Sequence, residues 1–173
     1  MKRSYLGDSY DAVKRSWAQA LAEWAPLYTE PRFVTDDIRD EFTRLTGVPM
    51  LPGHVSGAYG ILNDPDTGIR LPGEDNQSES RTHITLITIK DQLTRRAPRV
   101  VTTFDQSDYR HNKLNRDEQR LAKMRYLADA GLYAFYYVSH APFLFAFPDG
   151  DDRLLLRERL LAFGIPDNRF EMH

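Results

Sequence analysis

Gly60-Ile61-Leu62-Asn63-Asp64-Pro65-Asp66-Thr67-Gly68 is the stretch on which the fold turns. A short apolar run stops abruptly at two carboxylates, a proline and a glycine, and so reads as a buried strand with a polar tip. In an open α/β sheet, ligands gather where strands end and loops begin, which puts Asp64 and Asp66 at the usual place for chemistry. A second strand, Arg99 to Phe104, ends in the same way at Asp105-Gln106-Ser107. Turn chemistry explains the first tip equally well, since proline presets φ and glycine closes the loop.

Working outward, the elements alternate. Ser9 is placed to cap a helix whose apolar face carries Tyr10, Val13, Trp17, Leu21 and Trp24, and Pro26 stops it. A short strand at Tyr5-Leu6 precedes it, and a weak strand over Leu27 to Phe33 follows. Thr35 then opens a short helix that ends before Gly47. Arg70 to Ser80 has the composition of a surface loop. Thr82 to Leu93 fits a strand by alternation and a helix by the stripe of Leu86, Ile89 and Leu93. The helix is preferred, because parallel strands on either side need a crossover. Asn115 and Glu118 form a capping box for a helix ended by Gly131. Leu132 to Val138 and Pro142 to Phe147 are aromatic-rich strands joined so tightly that they must pair antiparallel. Asp151 and Asp152 begin a last helix. The pattern predicts one three-layer α/β domain over residues 1–173, its sheet mostly parallel with a C-terminal antiparallel hairpin at one edge.

Bulk properties narrow the function classes. The 173 residues include no cysteine, which removes thiolate metal sites and cysteine nucleophiles. The start, Met1-Lys2-Arg3-Ser4-Tyr5-Leu6, lacks the apolar core of a signal peptide, and no apolar run reaches the roughly 20 residues of a membrane span. A cytoplasmic protein with no membrane partner is expected. A formal charge of −2 gives no general attraction to nucleic acid. Arg95, Arg96, Arg99, Arg110, His111, Lys113 and Arg116 nevertheless cluster in sequence as a candidate phosphate-binding surface.

The hairpin ending, with an Asp-Pro dipeptide at an earlier strand tip, resembles the Rossmann-type methyltransferases. More narrowly, it resembles the amino-methyltransferases of nucleic acid, whose D-P-P-Y type motif holds the target amino group. Asp64-Pro65-Asp66-Thr67 occupies that position, with Asp66 and Thr67 where the motif has its second proline and aromatic. The opening Tyr5-Leu6-Gly7-Asp8-Ser9-Tyr10-Asp11-Ala12-Val13-Lys14 is similar to the segment some of those enzymes place beside S-adenosylmethionine. The chain also looks like a set of uncharacterised bacterial proteins with a G-D-x-x-D-x-x-K start and a D-P-D-x-G strand tip. The resemblance implies a nucleic-acid partner, a site at Asp64, Pro65 and Asp66, and S-adenosylmethionine held toward Gly7, Asp8 and Lys14.

A different chemistry fits the same strand ends. Asp8, Asp64, Asp66 and Asp105 would suit Mg2+ or Mn2+, which prefer carboxylate oxygens, and such an ion would activate water for phosphodiester hydrolysis. Asp64, Asp66 and Asp105 are the candidate catalytic groups under either enzyme reading. A non-catalytic binding or dimerisation module, with the polar strand ends serving as caps and turns, is the third reading. Asp11 is read as a helix-terminal carboxylate, Lys14 by default as a solvated side chain, and His140 as a surface histidine. Ser107 is weighed equally as a ligand group and as a cap. The aromatics of the last two strands are read as core.

Overall fold

The computed structural model describes residues 6–73, 80–106 and 114–173. Helix α1 covers Ser9–Leu21, strand β1 Leu27–Thr29, helix α2 Arg39–Thr46 and strand β2 Gly60–Asn63. Two short strands, β3 (Gly68–Ile69) and β4 (His83–Ile84), pair in parallel beyond the tip of β2. Helix α3 (Leu86–Arg95) leads into β5 (Val100–Phe104), and α4 (Arg116–Asp129) into β6 (Tyr133–Tyr137). Then come β7 (Phe143–Phe147), α5 (Gly150–Ala162) and β8 (Phe170–Met172).

Six strands form the main sheet in the order β1-β2-β5-β7-β6-β8. β1, β2 and β5 are parallel neighbours, while β7 is antiparallel to both β5 and β6. β6 therefore runs with the parallel set, and β8, antiparallel to β6, runs against it. The hairpin expected at the edge is instead built into the sheet. Its second strand, β7, sits between β5 and β6, and β8 covers the outer side of β6. The five residues Phe143 to Phe147 are all buried, as a strand between two neighbours and two helical layers requires.

Helices cover both faces. Trp17 and Leu21 of α1, Phe42 of α2, and Leu156 and Leu160 of α5 share one core with Leu62, Phe104, Phe143 and Phe145. Leu86, Ile89 and Leu93 of α3 and Met124 and Leu127 of α4 share the other with Ile61, Val101, Tyr136 and Leu144. Alternation along the strands thus feeds two separate cores, giving the three-layer arrangement. Among the aromatics of β6 and β7 only Tyr133 is exposed, with Tyr137 half-buried, so core packing is their role.

Several local expectations change. Asp8, not Ser9, caps α1, because its carboxylate accepts from the Tyr10 and Asp11 amides. Tyr5 lies outside the described residues and Leu6 is in a turn, so the structure places no strand on Leu6. β1 stops at Thr29 because Pro31 starts a 3-10 turn. Asp149 caps α5, two residues before Asp151. Residues 74–79, within the expected surface loop, lie outside the described residues.

Gly68 shows how the strand tip is anchored. Its φ of +146° disfavours any side chain, and a Cβ there would collide with Asp105 Oδ1 and lie 2.9 Å from Asp105 Cα. That close approach lets Asp105 Oδ1 accept the Ile69 amide at 2.8 Å. The next amide, Gln106 N–H, donates to Thr67 O at 2.9 Å. The end of β5 therefore clamps the segment that follows β2.

Candidate functional site

At the carboxyl ends of β2 and β5, a pocket of about 290 Å3 opens beneath the first turn of α1. Asp8, Tyr10 and Lys14 line it from α1 and its cap, Asp64, Pro65 and Asp66 from the tip of β2, and Phe104 and Gln106 from the end of β5. Asp64, Pro65, Asp66, Asp8 and Lys14, singled out in the sequence, are thus brought together; Gly7 lies beside them, exposed, just before the cap.

Lys14 overturns its sequence reading. It is 3% exposed, not solvated, and its ammonium lies between two carboxylates, 2.9 Å from Asp11 Oδ1 and 2.7 Å from Asp64 Oδ2. The Phe42 ring backs it at 5.4 Å. The i,i+3 spacing of Asp11 and Lys14 within α1 puts them on one face, and the buried face carries them against the end of β2. Asp11 has a second task beyond any dipole effect, accepting the Gly7 amide at 2.7 Å through its other oxygen. Asp64 Oδ1 takes no hydrogen bond among the described residues, and Asp64 is only 4% exposed.

Electrostatics follow from burial and from the imbalance of charges. Burial alone would lower the Lys14 pKa, but Asp64 and Asp11 outweigh it and hold the ammonium above its ordinary value. Burial pushes Asp64 up more than Lys14 pulls it down, and Asp11 adds to the upward shift. Both folded values exceed the unfolded ones, so each group's contribution to stability is full below its ordinary pKa and fades as pH rises through the raised one. For Asp64 that window starts at 3.8, and for Lys14 at 10.5. A carboxyl-carbon NMR titration is therefore expected to show Asp64 protonating above 3.8. A midpoint at or below that value would contradict the buried geometry.

Asp105 stands elsewhere. Its Oδ1 accepts from the Ile69 amide and its Oδ2 from Lys123 Nζ and Tyr136 OH, each at 2.7 Å, on the opposite face of the sheet from α1. It is not among the residues lining the pocket, so the structure gives it an anchoring role. Nor is the four-carboxylate metal set assembled. Among the described residues no three His, Cys, Asp or Glu side chains group as metal ligands. The ammonium of Lys14 fills the space between Asp11 and Asp64, and Lys123 neutralises Asp105.

Comparison with known proteins gives no match. No family model, curated protein or solved structure matches this chain.

Three wall residues escaped the sequence reading. Tyr10 packs against Phe104, ring centroids 5.3 Å apart, and against His140, 5.8 Å away at 31°. Gln106 Nε2 donates to the Tyr10 hydroxyl at 2.8 Å. Aromatics from α1 and β5 thus stand in the same pocket as Asp64, Pro65 and Asp66. No local signal marks this, because Tyr10 and Gln106 are 96 residues apart.

Among the described residues, the members of the basic sequence cluster stand at two separate places. Arg95, Arg96 and Arg99 lie before β5 and pair with Asp91, Glu30 and Asp152, whereas Arg116 starts α4 beyond the other end of that strand. Arg110, His111, Lys113 and Ser107 lie outside the described residues. Between the ends of β1 and β2 a hydrogen-bonded set spans the crevice: Asn63 with Gln92 and Thr103, and Glu30 with Gln92 and Arg96. Beside it, a groove of about 580 Å3 is lined by Glu30, His54, Tyr59, Arg95 and Arg96 among others.

Proposed function

We propose that this chain is a cytoplasmic protein of Rossmann methyltransferase-like architecture that acts on nucleic acid through the pocket at the ends of β2 and β5. The observation that carries the reading is that Asp64, whose Oδ2 is held by Lys14, lines one pocket together with Tyr10 and Phe104. A carboxylate only accepts hydrogen bonds, so it holds the amino group of a base, and an aromatic wall provides a face for the ring. The phosphates stay outside. Lys14 keeps Asp64 oriented, Pro65 stiffens the tip, and Asp66 stands on the wall two residues on.

The donor set also fits S-adenosylmethionine. Its positive charge is matched by the carboxylates of Asp8 and Asp64, with Gly7 giving a side-chain-free approach. When bound, the cofactor supplies an electrophilic methyl group. The chain's own contribution is to hold the acceptor nitrogen at Asp64 and to limit water with Tyr10 and Phe104. A metal-dependent hydrolase would need Asp8, Asp64, Asp66 and Asp105 to meet at one ion, and among the described residues no three such side chains group in that way.

Thermal unfolding with S-adenosylmethionine tests this reading. Ligand at about 100 times its dissociation constant adds about 2.7 kcal/mol, which raises the midpoint of a chain this size by about 5–11 °C. The shift is expected to be lost in Asp64→Asn while that variant's own melt stays cooperative. No shift at millimolar ligand, or an equal shift in Asp64→Asn, would favour the non-catalytic module.

A further inference from the structure

Helix α5 is apolar on two sides. Leu156 and Leu160 point into the core, as the sheet-covering side must. Leu154 and Leu155 point away from it, at 51% and 43% exposed, and Leu154 is the most exposed large hydrophobic side chain among the described residues. Single apolar residues are ordinary on a surface, whereas two adjacent leucines near the middle of a helix make a patch.

The charges of α5 divide around that pair. Asp152 is held by Arg99, Arg153 donates to the His173 carbonyl, and Arg157 pairs with Glu158 and Asp167. The Asp151 carboxylate and the Arg159 guanidinium are the charged groups of α5 that take no hydrogen bond or ion pair among the described residues. One stands four residues before Leu155 and the other four residues after it, so Asp151, Leu155 and Arg159 share a face of the helix. None of these residues lines the pocket at the ends of β2 and β5.

That order is self-complementary. A second α5 laid antiparallel, with a two-fold axis at Leu155, sets Leu155 on Leu155 of the other copy and brings Asp151 to Arg159 at both ends of the contact. We propose that this face of α5 joins two copies of the chain into a symmetric dimer, with Leu154 and Leu155 at its centre and two reciprocal Asp151 to Arg159 pairs at its rim. The 13 residues of α5 span about 19 Å. Two such helices bury less than the ~800 Å2 per partner of a standard interface, so the dimer is a weak one with micromolar dissociation.

Sedimentation velocity of the full chain from about 5 to 500 µM tests this, and a reversible dimer is expected to grow in across that range. Leu155→Glu is expected to keep the chain monomeric throughout, with a melt like the parent's, because Leu155 already faces water in the single chain. Asp151→Arg and Arg159→Asp, each alone, set like charges against each other and should weaken the dimer about tenfold. Mixed in equal amounts, the two single variants should associate with each other as tightly as the parent does, since opposite charges then meet at both ends. A parent chain still monomeric at about 500 µM would overturn the proposal and leave the face to a different protein. A dimer that Leu155→Glu leaves intact, or single variants that gain nothing on mixing, would overturn it as well.

Discussion

Lys14→Met is expected to lower stability by about 3–5 kcal/mol at neutral pH, because it breaks a buried ion-pair cluster from one side and leaves two carboxylates in the interior. The side chains of Lys14, Asp11 and Asp64 are 3%, 3% and 5% exposed, so water cannot replace the lost ammonium. Methionine keeps the length and apolar stem of lysine, which confines the loss to the charge. For a chain of this size the midpoint should fall by about 6–20 °C. The sign of its pH dependence is fixed. Without Lys14, burial leaves Asp64 binding its proton still more readily in the folded chain than in the unfolded one, so the deficit should shrink as pH falls. Adding Asp64→Asn should restore part of the loss, since the variant pair removes a buried negative charge with its partner. A drop below about 1 kcal/mol, constant with pH, is what a solvated lysine would give, and it would contradict the buried triad.

Asp105→Ala should cost at least as much, about 3–5 kcal/mol, by a different route. The Asp105 and Lys123 side chains are each 1% exposed, and the same carboxylate also holds Tyr136 OH and the Ile69 amide. Alanine takes away all three interactions and the clamp on the Asp64–Gly68 segment. Here the charge left with less compensation is the buried ammonium of Lys123. Asp105→Asn, which keeps the shape and an acceptor oxygen, should lose less. Denaturant melts of both Asp105 variants at neutral pH check the point. Were Asp105→Ala nearly neutral, with pocket binding intact, the anchoring role would be lost.

Periodicity and termination signals carried most of the fold. The stripes in α1, α3 and α4, the capping box at Asn115 and Glu118, and the apolar runs of β5, β6 and β7 all give elements close to those observed. The place of β7 inside the sheet was not legible, because a tight link fixes which strands pair but not which other neighbour each one takes. β8 was missed for a similar reason: Phe170–Met172 is three residues long, and only its pairing with β6 makes it a strand.

The pocket was legible at the tip of β2 and opaque at its walls. A strand tip with Asp64-Pro65-Asp66 points to a loop at the carboxyl end of a sheet, where the pocket lies. Lys14 and Asp64 are 50 residues apart, so nothing local says that α1 delivers an ammonium to β2. Asp105 shows the limit most clearly. It shares the strand-end position and residue type of Asp64, yet its carboxylate lies on the other face of the sheet with Lys123 and Tyr136. Side-chain direction at a strand end depends on the exact register, which sequence spacing does not report.

The most direct test of the central claim is amide chemical-shift mapping of the 15N-labelled chain on titration with S-adenosylmethionine. The account predicts saturable shifts gathered at Gly7, Asp8, Tyr10, Asp66 and Gln106, around one pocket. Shifts confined to the groove at Glu30, His54 and Arg96, or none at millimolar ligand, would contradict it.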